Sequence, residues 1–167
     1  DKDAKPLSKY GNHFDIARMT GSFPHPFPLI SAEFKIMHLR AQHRQGLAYP
    51  YAITRRGDDE MIGITDLFRQ EHKALLEIGY WIGEPHWGQG YVSEACQAIL
   101  DEANDSFGPK PIKAGVFADN PASLRVLEKL GFQPTGERED YFSMARLEKA
   151  DSILLERPAM FEALAAE

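Results

Sequence analysis

The stretch that most constrains this chain runs from Leu47 to Phe107, where the side-chain period changes from two to that of a helix across a glycine turn. Leu47, Tyr49, Tyr51 and Ile53 alternate with smaller residues, "RGDDE" turns the chain, "MIGITDLF" returns it, and "ALLEIGYWIG" at 74–83 adds a third, mostly apolar run. Such runs predict three strands in an antiparallel meander. Beyond the turn, Val92, Ala95, Ile99, Ala103 and Phe107 fall near helical spacing, and Gly108 is placed to stop the helix.

The junction itself reads "HWGQGYVSEA", residues 86–95. Glycine permits positive φ and close approach of other atoms to the backbone. The first N–H groups of a helix have no partner within it, and the dipole adds about half a positive charge there. Gly88 and Gly90 ahead of helix 91–107 could therefore cradle a phosphate, although a plain strand-to-helix turn accounts for the pair equally well. Two phosphate-binding loops are excluded by the letters. A Walker A loop requires Gly-Lys-Ser/Thr, which is absent, and a dinucleotide fingerprint requires a third glycine where Ser93 stands, within the first βα unit of a mostly parallel sheet.

Upstream, Leu7 to Thr20 is loosely helical until "GSFPHPFP", with Pro24, Pro26 and Pro28, forces an irregular loop. Ser31 begins a second helix with a stripe of Phe34, Met37 and Leu39, stopped at Gly46. Downstream, "IKAGVFA" predicts a strand. Asn120 as cap and Pro121 as first residue open "PASLRVLEKL", which Gly131 closes. The tail is less regular: "SILLE" reads as a strand and Pro158 as the start of a short last helix. No repeat or linker divides the chain, so residues 1–167 form one domain of the α+β class.

A net charge of −6 argues against a nonspecific nucleic-acid binder, which needs a basic face. No apolar run approaches a membrane span and no signal-like segment opens the chain, which points to the cytoplasm and to no membrane partner. Cys96, the single cysteine, lies in a helical apolar pattern and reads as a small core residue rather than a nucleophile. The histidines at 13, 25, 38, 43, 72 and 86 show no ligand spacing, so no metal is expected.

"YWIGEPHWGQGYVSEA", followed some thirty residues later by "VFADNPASLRVLEKLGF", resembles the GNAT family of N-acetyltransferases, in particular the branch that acetylates ribosomal-protein N-termini. The likeness covers about residues 10–138. It implies a mixed, mostly antiparallel sheet, splayed around acetyl-CoA as co-substrate and flanked by helices. Carried over, Ile82 offers backbone bonds to the pantetheine, and Trp87, Gly88, Gln89, Gly90, Tyr91 and Val92 form the pyrophosphate loop. Asn120 and Ser123 face the cofactor arm. The oxyanion donor is an N–H near Trp81 or Ile82. Two departures stand out: only "DKDAKPLSK" precedes Tyr10 where the family has its first strand, and Leu127 stands where many relatives have a tyrosine acid.

Acetyl transfer needs a proton acceptor for the amine and support for an oxyanion. Glu77, a carboxylate inside an apolar strand, is the expected base; a structural pairing with Arg55 or Arg69 is the competing reading. Ser123 is the expected proton donor to the departing thiolate, or else only a partner of helix backbone or cofactor. Phe23, Phe27, Tyr141 and Phe142 are expected around the acceptor, with "EREDY" at 137–141 as an acidic attraction or a solvated turn. The reaction implied is transfer of acetyl to a primary amine, a protein or peptide N-terminus ahead of a small-molecule amine. A non-catalytic acyl-CoA sensor is the alternative, and a homodimer is allowed.

Overall fold

In the computed structural model, residues 2–69 and 75–159 are described. Three helices come first: α1 at Ala4–Gly11, α2 at Phe14–Ala17 and α3 at Leu29–Arg44. The strands β1 at Ala48–Thr54, β2 at Met61–Arg69 and β3 at Leu76–Ile82 follow, then a single 3-10 turn at Glu84–His86 and α4 at Tyr91–Phe107. Strand β4 at Ile112–Phe117, α5 at Pro121–Lys129, β5 at Gln133–Ser143 and β6 at Glu148–Arg157 complete the order.

The six strands form one sheet in the order β1-β2-β3-β4-β6-β5, in which only β3 and β4 run parallel. β2 and β3 pair over seven positions, from Gly63↔Ile82 to Arg69↔Leu76. β3 and β4 pair at only two, Leu76↔Ile112 and Glu77↔Lys113. From Ile78 onward the two strands part, and this gives the sheet its opening.

Each face of the sheet has its own core. On one side α4 and α5 cover Leu67, Ile78, Ala114, Val116 and Leu155 with Cys96, Ile99, Leu100 and Leu127. Cys96 is fully buried, as its helical pattern predicts. On the other side α1, α2 and α3, with Phe23 and Phe27, pack on Met61, Ile64 and Trp81.

The helical reading of 7–20 resolves into two helices. They break near Asn12, whose side-chain oxygen accepts the Phe27 N–H at 2.7 Å and so ties the proline loop back to the break. α3 starts two residues before Ser31, after Pro28. Its core stripe is Ala32, Ile36 and Leu39, while Phe34 and Met37 are exposed, because they lie off the face set by the i, i+4, i+7 positions that touch the sheet. "EREDY" is no turn: it belongs to β5, an edge strand exposed from Gln133 to Phe142 and bulged between Pro134 and Arg138. "SILLE" lies in β6. Pro158 has no regular structure, and the rest of the expected last helix lies outside the described residues. No described residue before Ala48 pairs in the sheet, and β1 is at its edge among the described residues.

Candidate active site

The parting of β3 from β4 exposes backbone that a sheet normally satisfies. The Gly83 N–H donates to the Ile62 carbonyl at 2.8 Å, across the register Gly63↔Ile82. In an antiparallel ladder that makes Ile82 a non-hydrogen-bonded partner of Gly63, so its own N–H and C=O point away from β2 and into the gap. By the same period of two, so do those of Tyr80. The Trp87 indole N–H takes up the Ile82 carbonyl at 2.9 Å. This leaves the Tyr80 and Ile82 N–H groups aimed into the opening. The Trp81 backbone instead turns to β2, and its ring meets Phe23 edge-on at 5.4 Å on the α3 side.

A cleft of about 1070 Å³ passes through this gap from one face of the sheet to the other. Its α4 and α5 side begins at the glycine turn. Gly88 and Gly90 have φ of 71° and 85°, a left-handed backbone that side chains disfavour. A Cβ at either would meet no other atom within 4 Å, so the turn geometry, and not crowding by the protein, requires glycine there. Gly90 caps α4 with no side-chain hydrogen bond, which leaves the first N–H groups of a 17-residue helix open to the cleft mouth. Gln89 steadies the turn by donating to the Pro85 carbonyl at 3.0 Å. Tyr91 and Val92 are half-buried against Ile53, Ile62 and Ile82.

Helix α5 forms the opposite wall. The Asn120 side chain caps it by accepting the Ser123 N–H at 3.1 Å. Ser123 Oγ lies 2.8 Å from Tyr80 Oη, a contact in which either hydroxyl can donate, and the Ser123 carbonyl lies 3.1 Å from the same Oη as a second acceptor for its one hydrogen. Burial pushes the Tyr80 phenol well above its ordinary range, against the Ser123 hydrogen bond that lowers it, so the ring keeps its proton at neutral pH. Leu127, where the resemblance sets a tyrosine, is core at 1% exposed. Sequence reasoning missed Tyr80. Its signal was present: two residues before Ile82, it shares that residue's side of the strand.

The α3 side of the cleft carries the charge, with Lys35, Asp66, Glu77, Lys113, Glu137 and Glu139 among its lining. Glu77 is buried on the last paired rung, between Phe68 and Lys113, and has an interaction partner. The two expected arginines lie elsewhere: Arg55 pairs with Asp58 at 2.5 Å, and Arg69, one residue out of register with Glu77, points to the other face. Asp66, also missed, stands opposite Gly79 where the strands part. Burial pushes its carboxyl up to about 6, with the Lys35 charge pulling the other way. Burial also lowers the Lys35 ammonium, whose Nζ donates to Ser22 Oγ at 2.9 Å.

Of the four aromatics expected near the acceptor, Phe23 and Tyr141 line the cleft. Phe27 is core, stacked on Phe23 at 4.8 Å, and Phe142 stands on the far side of β5. Among the described residues no group of three or more His, Cys, Asp or Glu could hold a metal ion, and no helix is long and apolar enough to cross a membrane.

The model of the "Acetyltransferase (GNAT) domain" matches residues 1–133. This chain belongs to the GNAT acetyltransferase family. It is 32% identical over 143 residues to the uncharacterized N-acetyltransferase p20 of Bacillus licheniformis, covering 84% of this chain and 79% of that protein. It is 35% identical over 91 residues to the ribosomal-protein-serine acetyltransferase of Escherichia coli, covering 54% of this chain and 50% of that one. Among solved structures, RimJ of Mycobacterium smegmatis in complex with CoA-disulfide superposes with a TM-score of 0.81 at 22% identity, over 96% of this chain and 78% of RimJ. RimL, a ribosomal L7/L12 alpha-N-protein acetyltransferase in complex with coenzyme A, gives 0.79 at 18% identity, over 93% and 88%. The GNAT protein described here is thus an acetyl-CoA-dependent N-acetyltransferase with the family's open, six-stranded, mostly antiparallel sheet.

Proposed function

We propose that this GNAT protein transfers acetyl from acetyl-CoA to a primary amine at the N-terminus of a protein or peptide. The observation that carries the reading is the continuity of the opening: strand N–H groups at Tyr80 and Ile82, left without a strand partner among the described residues, lead into the Gly88–Gly90 turn and the bare start of α4. An extended pantetheine can pair with the strand, and a pyrophosphate suits the helix end. Trp87, Gln89, Tyr91 and Val92 flank that course, and Asn120 and Ser123 face it from α5. Ser123, hydrogen-bonded to Tyr80, is the group we assign to the departing thiolate. The acceptor enters from the α3 side, where the carboxylates Asp66, Glu77, Glu137 and Glu139 favour an ammonium. A protein N-terminus as acceptor is supported by the ribosomal-protein acetyltransferases among the relatives.

Calorimetry with CoA and acetyl-CoA, followed by thioester consumption with peptides and small amines, tests the reading. Micromolar binding with turnover on peptides is expected. Turnover restricted to small amines would overturn the peptide acceptor, and absence of CoA binding would overturn the cleft as its seat.

A further inference from the structure

Asp66 lies where the acceptor and the gap-facing backbone of β3 must meet. Its register partner is Gly79, one residue before Tyr80 and just beyond the last β3–β4 rung at Glu77↔Lys113. A Cβ on Gly79 would approach Asp66 Oδ1 to 2.7 Å, so the carboxylate lies against the strand backbone in space that only glycine leaves open. Phe68 flanks the same spot, 3.1 Å from that Cβ position, and gives it an apolar wall on one side. Among the described residues the Asp66 carboxylate, which is part-exposed to the cleft, makes no hydrogen bond or ion pair. The surrounding charged and titratable groups are Lys35 and His38 from α3, Glu77 from the same face of β3, Lys113 from β4 and Glu137 and Glu139 from β5. Lys35 is the one that acts on Asp66 directly, by its charge.

We propose that Asp66 is the base that takes the proton from the acceptor's ammonium, with Lys35 as the positioning cation that sets when it can do so. The proposal rests on the acetyl-transfer reading above and names the group that starts its chemistry. One N–H proton of the ammonium moves to an Asp66 oxygen and leaves with solvent when the site resets. The freed nitrogen lone pair forms the C–N bond to the thioester carbonyl, and the C–S bond breaks. The nitrogen then loses its second proton to solvent, the CoA thiolate takes the Ser123 hydroxyl proton, and the serine is reprotonated from solvent, so that one proton is released overall. A carboxyl held near 6 by its surroundings is ionised at neutral pH yet basic enough for this role. Glu77 lies on the paired rung behind it, where the strands are still closed.

The test compares wild type with Asp66→Asn, Glu77→Gln and Lys35→Met, measuring acetyl transfer to a peptide amine from pH 5 to 9 and acetyl-CoA affinity by calorimetry. For wild type, kcat/KM should rise through about pH 6 and then level. Asp66→Asn should lose on the order of a hundredfold and follow the free amine's own pKa instead, with acetyl-CoA affinity within threefold. Lys35→Met should move the acid limb upward, because removing the cation makes the carboxylate harder to ionise. Glu77→Gln should keep the limb in place. An unchanged profile in Asp66→Asn, or a limb that vanishes only in Glu77→Gln, would overturn the proposal. Loss of acetyl-CoA binding in wild type would overturn the underlying reading itself, and calorimetry reports that outcome separately.

Discussion

Tyr80 Oη and Ser123 Oγ stand 2.8 Å apart across the opening of the sheet, so a strand side chain holds the hydroxyl that the first turn of α5 presents. Because Tyr80 stays a phenol, its one hydrogen can go to Ser123 Oγ in place of the Ser123 carbonyl, and the serine hydrogen is then free to point at a departing sulfur. Tyr80→Phe should lower kcat about tenfold with little change in acetyl-CoA affinity, and lower stability by about 1 kcal/mol for the lost hydrogen bond. A double-mutant cycle checks the route. If Tyr80 acts through Ser123, adding Tyr80→Phe to Ser123→Ala should cost no further rate, whereas independent, additive losses would rule the route out.

The glycine turn separates backbone strain from charge. At a φ of 85° any side chain is strained, so Gly90→Ala should lower stability by about 1 kcal/mol even though its Cβ would meet nothing. Gly90→Glu carries the same strain, partly offset by a negative charge at the start of α4. CoA affinity should nonetheless fall at least a hundredfold in the glutamate variant and far less in the alanine one. Equal affinities in the two variants, measured by calorimetry on folded protein, would dismiss the turn as a phosphate seat.

Asn120 joins fold and site through one hydrogen bond. Its side chain accepts the Ser123 N–H, so Asn120→Ala should cost about 1 kcal/mol as a lost cap and also free the serine backbone. Thermal unfolding and kcat should therefore fall together. Asn120→Asp retains the acceptor and should restore both. A kcat that stays at the wild-type value while the melting temperature drops would confine Asn120 to capping.

The parts legible in the sequence are those in which one local rule acts alone. Period two marked β1 to β3, and "NPASLRVLEKLGF" carried its cap, its proline and its closing Gly131 in one run. β5 was not legible because an exposed edge strand such as "TGEREDYF" has no buried face to impose alternation. On α3 the exposed Phe34 and Met37 are larger than the buried Ala32, so size pointed to the wrong face. In the site, the glycine turn was readable because positive φ selects the residue type. The neighbours of Tyr80 and Asp66 were not, since those contacts are set by register and by the parting of two strands distant in sequence. The single-carboxylate rule that drew attention to Glu77 applies equally to Asp66 inside "MIGITDLF".

Asp66 also makes a prediction about stability that does not depend on any substrate. Its carboxyl is raised from 3.8 to about 6, so between those values the folded protein holds the proton more tightly than the unfolded chain does. Stability contributed by this group is therefore full below about pH 4 and is lost as pH rises through about 6. Asparagine has no proton to lose. Asp66→Asn should match wild type near pH 4 and exceed it above pH 6, by up to about 3 kcal/mol, because each tenfold gain in proton affinity on folding corresponds to about 1.4 kcal/mol. Urea unfolding at pH 4, 6 and 8 on both proteins gives the difference at each point. If the variant is the less stable of the two at pH 8, the ionised carboxylate is favourably held in the fold, and the burial that makes it basic is refuted.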